Sequence, residues 1–182
     1  MKDGEYEQMR KFKRWLLSTF FKNELSEIQN ETDRKNQDDI EIVHQILSEK
    51  NRVIVGEADN KKGEHVFVVQ TRYGKSIYFN LYSNKYKAID NHPRIMATYT
   101  YGYGNNSYVN IVDILVVDNN IGNGSILMPY FIEYCRNNTD AKKIKGSLSS
   151  VDSGHFNRSI HFYKKHGYEV KLNKNVIEYD LR

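Results

Sequence analysis

Residues 109–128 read VNIVDILVVDNNIGNGSILM, and the parsing of the whole chain turns on them. An apolar, β-branched run enters a short polar turn, and Gly122-Asn123-Gly124 then opens an amphipathic helix. Glycines at such a turn let the backbone approach an anion closely, and the free N–H groups of the first helical turn point at it. Ser125 adds a hydroxyl and suits an N-cap. Taken alone, two glycines at a helix start are a tight strand-to-helix turn more often than a ligand site. No third glycine stands at dinucleotide-fingerprint spacing and no Gly-Lys-Ser/Thr follows, so neither a dinucleotide-binding fold nor a P-loop is indicated.

Downstream the pattern alternates: helix over about 124–136, strand 142–149, helix 155–166, then strands 168–172 and 176–181. The stretch 155–168, HFNRSIHFYKKHGY, ends its helix at Lys164 to His166, with basic side chains near the negative helix end. Gly167 supplies a left-handed C-cap and Tyr168 starts the next strand. Phe162 and Tyr163 are adjacent and so face different directions, one toward the core and one toward a cleft.

Upstream, 52–57 (RVIVGE), 64–71 (EHVFVVQT) and 75–82 (KSIYFNLY) are short β-branched and aromatic runs separated by turn residues. Two more strands, 94–103 and 107–117, are joined through Gly102, Gly104, Asn105 and Asn106 as a hairpin. Before all of these, Tyr6, Met9, Phe12, Leu16, Phe20 and Phe21 recur at helical spacing. A polar loop is expected over 30–37, and a second helix over 38–50 carries Ile40, Val43, Ile46 and Leu47 inward. Strands followed by an alternating β/α section define an α/β (α+β) sandwich with a mixed sheet, and no internal repeat is present.

Length and composition bound the rest. The 182 residues make one domain's worth of chain, 39% apolar and 27% charged. No run approaches the ~18–20 apolar residues of a membrane helix, so no membrane partner is expected. The start lacks signal-peptide order, and a lone cysteine points to a reducing, cytoplasmic home. The net charge of +4 suits an anionic ligand without demanding one.

The order of strand, G-x-G helix, strand, helix ending in F-Y-x-x-x-G-Y and closing strand pair resembles the GNAT superfamily of acyl-CoA-dependent N-acyltransferases, over roughly residues 109–182. The resemblance implies a mixed, mostly antiparallel central sheet flanked by helices, here with two extra N-terminal helices. It implies an N-acetyltransferase that moves an acetyl group from acetyl-CoA to a primary amine by direct attack in a ternary complex. By the same resemblance the donor's pyrophosphate rests on Ile121, Gly122, Asn123, Gly124 and Ser125, and its pantetheine arm runs beside Leu115, Val116 and Val117. Strands 109–117 and 142–149 would splay to admit it. Tyr163 takes the place of the tyrosine that protonates the departing thiolate.

The departures are specific. Asn119 stands where the family carries Gln or Arg, the strand-to-glycine connection is about two residues short, and Phe156 holds the place of an Asn whose nearest substitute is Asn157. Pro129 requires the helix to start effectively near Ser125 or to kink. The family's strand Glu is absent, which leaves Asp113 as the candidate base. In a regular strand Asp113 would share a face with Val109, Ile111, Leu115 and Val117, so it is either functional or paired to a neighbouring strand.

Tyr99, Tyr101, Tyr103 and Tyr108 line an acceptor pocket or pack in the sheet. His155, His161 and His166 are spaced as surface histidines, and no metal is expected. Cys135 reads as buried, without an activating partner. The basic cluster from Arg10 to Trp15 reads as a solvated helix face. The alternative to catalysis is an inactive binding module of the same fold, and a basic aromatic nucleic-acid binder ranks third for want of a motif. The acceptor amine is unassigned, and the N-terminal helices are expected either to cover the cleft or to build a homodimer contact.

Overall fold

A computed structural model describes residues 3–86, 92–102, 106–148 and 156–181, with side chains of the N-terminal helix described at Lys11 and from residue 26 onward. The chain divides into two compact units, Met1–Glu41 and Ile42–Arg182. The first is helical. The helix α1 (Asp3–Leu47) runs without a break through the polar stretch expected to be a loop, so one N-terminal helix replaces the two anticipated. The reason is local: residues 30–37 contain neither Gly nor Pro, and polarity alone does not stop a helix. Thr32 even returns its hydroxyl to the Ile28 carbonyl at 2.7 Å, one turn back. The expected stripe from Tyr6 to Phe21 lies outside the described side chains.

The second unit is built on an eight-stranded sheet in the order β1-β2-β3-β4-β5-β6-β8-β7. Its strands are β1 (Arg52–Asp59), β2 (His65–Tyr73), β3 (Ser76–Tyr82), β4 (Arg94–Thr100), β5 (Tyr108–Leu115), β6 (Lys143–Ser147), β7 (Glu169–Lys171) and β8 (Val176–Asp180). Every neighbouring pair is antiparallel except β5 with β6. Helix α2 (Asn123–Asn138) crosses between those two parallel strands, and α3 (Phe156–Lys165) precedes β7. A mixed α/β fold with a mostly antiparallel sheet is therefore what the chain adopts.

Residues of β2 are apolar at successive positions because both faces of the sheet are covered there. Val66 and Val68 join the main core, whereas Phe67 and Val69 pack with Tyr82 against Ile42 and Ile46 of α1. The inward residues of α1's end are thus Ile42, Val43 and Ile46; Ile40 and Leu47 are exposed, against expectation. Helix α2 buries Leu127, Met128, Phe131, Ile132 and Cys135, a stripe at helical spacing over the sheet. Phe131 and Tyr134 both meet Phe79 edge-on, at centroid distances of 5.9 and 5.6 Å. Pro129 lies on the exposed side of α2, where water can satisfy the carbonyl whose donor it removes.

The register between β4 and β5 slips once. Met96 pairs Asp113 and Ala97 pairs Ile111, so Val112 is an extra residue in β5. A bulge bends its strand and raises the local twist. Pairing of β5 with β6 ends at Ile111↔Gly146, while β6 stays with β8 to Ser147↔Val176 and Leu148 donates its N–H to the Asn175 carbonyl at 2.8 Å. The two parallel strands therefore part just beyond the bulge. Gly146 allows the close approach before they part: a Cβ there would stand 3.0 Å from Ile177 Cδ1 and 3.4 Å from Ile111 Cβ.

At the C-terminus of α3, Gly167 adopts φ +84°. Tyr168 donates its N–H to the Tyr163 carbonyl at 3.0 Å and Gly167 to the Lys164 carbonyl at 3.0 Å, a complete Schellman motif. The rings of Tyr163 and Tyr168 meet at 5.4 Å, the apolar contact that accompanies this cap. Gly167→Ala puts a Cβ on a left-handed residue and should cost about 1–2 kcal/mol. Urea unfolding should show a lowered midpoint at unchanged slope, and an unchanged midpoint would contradict the cap.

Candidate functional site

A cavity of about 510 Å³ opens where β5 leaves β6. Its walls come from Ile111 to Ile114 of β5, from Gly122 to Ser125 at the start of α2, from Ser147 and Leu148 after β6, and from the inner side of α3. Gly122 precedes the helix at φ +95° and contributes no side-chain cap. Its carbonyl takes the first intrahelical bond from Ile126 at 3.0 Å. The N–H groups of Asn123, Gly124 and Ser125 thus lie ahead of the helical ladder, beside the cavity. Gly124 has a packing role besides: a Cβ there would come within 3.1 Å of both Phe162 and Val116.

The turn between β5 and α2 is tethered from below. Val117 adopts φ +57°, a conformation strained for a β-branched residue, and Asp118 donates its N–H to the Val116 carbonyl at 2.6 Å around it. The Asp118 carboxylate is bound by Lys85 and by the Tyr86 hydroxyl, the latter at 2.8 Å. Lys85 holds that carboxyl below its ordinary range. Asn123, 1% exposed, donates to the Tyr86 oxygen at 2.9 Å and accepts from Asn60 at 3.5 Å. Its amide therefore braces the turn, and only its backbone faces a ligand.

Lys61 arrives through the same tether. The Asn60 side-chain oxygen accepts the N–H groups of Lys62 and Glu64, at 2.9 and 3.2 Å, which closes the β1–β2 turn. Lys61 donates its own N–H to the Ile121 carbonyl at 2.8 Å, and its side chain lies across Gly122 and lines the cavity. Arg158 and Lys165 of α3 line it too, and the Lys165 ammonium reaches the Ser125 hydroxyl at 3.3 Å. Three cationic side chains thus line the cavity, one from a distant hairpin and two from α3, whereas Asn119 brings none. Nothing in the spacing of Lys61 signals this, because it depends on the β1–β2 turn meeting the segment before α2, through the bond from Lys61 to Ile121.

Tyr163 also lines the cavity, 9% exposed. Burial pushes its phenol up to about 12, with the Asp113 carboxylate adding to the effect. Asp113 lines the cavity but does not share a face with Val109 and Ile111. The bulge at Val112 turns it to the side of Met96, where its carboxylate lies 3.5 Å from Arg94 Nη2. The shared apolar face expected of Asp113 is thereby corrected: its carboxylate has a cationic neighbour on β4 and still lines the cavity. Two further expectations change. The strand ends at Leu115, so Val116 and Val117 belong to the turn; Val116 lines the cavity, and Leu115, Val117 and Ile121 lie outside its lining. Asn157 is exposed and off the cavity, where Arg158 and Ser159 stand instead.

Of the remaining candidates only His161 lines this cavity among the described residues. Tyr99 is buried and hydrogen-bonds Asp140; with Tyr101 and Arg72 it borders a separate hollow of about 420 Å³ near the end of α2. Tyr108 carries Lys145 over its ring at 4.5 Å, and Tyr103 is outside the described residues. His161 lines the cavity, His166 packs on Phe162 at 4.8 Å and so is not a surface histidine, and His155 is undescribed. Among the described residues no group of three or more His, Cys, Asp or Glu is disposed to hold a metal ion, and no helix is long and apolar enough to cross a membrane. Burial pushes the Cys135 thiol up, which keeps it protonated and unreactive.

No protein-family model and no curated protein matches the chain. Among solved structures it matches an acetyltransferase of the GNAT family from Streptococcus pneumoniae, at 12% identity and a TM-score of 0.37. That match covers 63% of this chain and 66% of the other, just under two thirds of that protein's length.

The phenol of Tyr163 is testable by itself. An ordinary tyrosine is about half ionised near pH 10. The difference in 295 nm absorbance between wild type and Tyr163→Phe should show no phenolate from Tyr163 at that pH. Because the folded phenol holds its proton more tightly than the unfolded one, its contribution to stability is full below pH 10.0 and is lost as pH climbs toward about 12. Half-ionisation of Tyr163 at pH 10 would contradict the burial.

Proposed function

We propose that the chain is an acyl-CoA-dependent N-acyltransferase that transfers an acetyl group to a primary amine by direct attack. One observation carries this reading: a single cavity, opened by the parting of β5 and β6, brings together an uncapped helix start, three cationic side chains and a buried tyrosine. The donor set fits a long anionic thioester. Lys61, Arg158, Lys165 and the first-turn N–H groups of α2 suit phosphates. The edge of β5 beyond Ile111 has no strand partner on the β6 side and suits an amide-bearing arm. Acetyl-CoA supplies the acyl group in activated form.

The chain's own residues then have distinct tasks. Tyr163 holds a proton throughout the neutral range and delivers it to the sulfur that leaves, because a protonated thiol departs more readily than a free thiolate. Of the two carboxylates lining the cavity, Asp118 is tied to Lys85 and Tyr86, whereas Asp113 is 44% exposed with Arg94 beside it. Asp113 is the group that accepts the amine's proton, directly or through water. Ser125, held by Lys165, contributes its hydroxyl at the phosphate end.

Tyr163→Phe should lower kcat by roughly 10²-fold or more with CoA affinity nearly unchanged, measured by thiol release and by calorimetric titration. Unaltered turnover would remove Tyr163 from the mechanism. CoA binding with no thiol release from any amine would favour the inactive-module reading. Because Gly124 is packed against Phe162, the phosphate end is better probed through its cations. Lys61→Met and Lys165→Met should each weaken CoA binding about tenfold, and the wild-type affinity should fall with added salt. Titrations indistinguishable from wild type would place the phosphates elsewhere.

A further inference from the structure

We infer that Asp113 and Arg94 recognise the ammonium and the carboxylate of one zwitterion, so that the acyl acceptor is a free α-amino acid. This rests on the acyl-transfer reading above.

The two side chains lie on one face of the sheet because of the bulge. Arg94 is opposite Leu115 and Asp113 is opposite Met96, which makes them diagonal neighbours across β4 and β5. Without Val112 as an extra residue, Asp113 would point to the core face beside Ile111. Their one contact is loose: Arg94 Nη2 to Asp113 Oδ2 is 3.5 Å, beyond an ordinary N–H···O bond. Among the described residues neither side chain makes a hydrogen bond. A guanidinium offers five N–H donors and a carboxylate about four acceptor sites, so nearly all of that capacity is open. The side chains are 33% and 44% exposed, and an ion pair so exposed to water contributes little to stability. The sheet does not need it.

A ligand carrying both charges fits this pair better than a simple amine does. Arg94 suits a carboxylate, which its planar fork takes in bidentate fashion. Asp113 suits an ammonium and also lines the cavity, close enough to Tyr163 to raise that phenol's pKa further. A nitrogen held at Asp113 therefore stands in the cavity that Tyr163 also lines. Val112, 50% exposed, adds apolar surface to the cavity lining next to Asp113 in the chain. The acceptor enters as an ammonium and gives one proton to the Asp113 carboxylate, which passes it to solvent. The freed lone pair forms the C–N bond as the C–S bond breaks. Tyr163 protonates the sulfur, and the second proton shed by the nitrogen restores the phenol.

The test measures kcat/KM with acetyl-CoA for leucine, lysine, glutamate and tyrosine, each against its decarboxylation product: 3-methylbutylamine, cadaverine, 4-aminobutyrate and tyramine. At least one amino acid should exceed its amine by about tenfold or more, chiefly through KM, the effect expected of a charge-assisted hydrogen bond. Arg94→Gln should bring that ratio to about one, and Arg94→Lys, which keeps the charge and loses the fork, should leave it intermediate. Thiol release that is equal or faster with the decarboxylated amines overturns the zwitterion assignment and leaves acyl transfer standing. A wild-type preference that survives Arg94→Gln overturns the role of Arg94. Release with none of the eight acceptors, in a protein that binds CoA, overturns the amino-acid acceptor; absence of CoA binding overturns acyl transfer itself.

Discussion

Strand β5 cannot keep both of its neighbours. The extra residue at Val112 bends it along β4, while β6 remains hydrogen-bonded to β8, and the parallel pairing fails after Ile111↔Gly146. Backbone groups that lose a strand partner must find water or a ligand. The gap left between the strands is the cavity, and the candidate groups converge on it from β5, from the start of α2, from α3 and from the β1–β2 turn. The same extra residue reverses the alternation of β5 and turns Asp113 away from Ile111 toward Arg94. One local irregularity thus opens the site and selects the carboxylate that faces it.

An opening of this kind holds its shape only if its rim is rigid. The turn after β5 runs through a left-handed Val117, a conformation that persists only where surrounding contacts over-determine it. Those contacts are Asp118 to Lys85 and Tyr86, Tyr86 to Asn123, and Asn123 to Asn60. Tyr86 is fully buried, so breaking one member would leave polar atoms without partners in an apolar setting. The network also links the turn to the β1–β2 hairpin, which is how Lys61 comes to lie across Gly122. On the opposite wall the Schellman cap fixes the last turn of α3 and with it Tyr163.

Much of this could be read from residues. The element order from β1 to β8, the helix starting at the G-x-G turn, the Gly167 cap and the burial of Cys135 all follow from short-range rules. Glycine is favoured at a left-handed cap whatever surrounds it, and β-branched runs between turn residues form strands in nearly any sheet. Tyr163 was distinguishable from Phe162 only as one of two directions. The helix continues through the polar residues 30–37 because polarity does not break a helix and no Gly or Pro is present there.

What the sequence by itself determined is the set of elements, their order and the local geometry at their ends, since these depend on contacts a few residues apart. What only the tertiary structure decided is which groups meet. The bulge at Val112 is a disagreement in register between two strands and cannot be seen in either strand alone. Lys61 and Gly122, Asn60 and Asn123, and Arg94 and Asp113 are each remote in sequence and become neighbours only through the arrangement of strands and turns in the folded sheet. Side-chain chemistry is written residue by residue, but a site is a matter of distance, and distance between remote residues is set by the sheet.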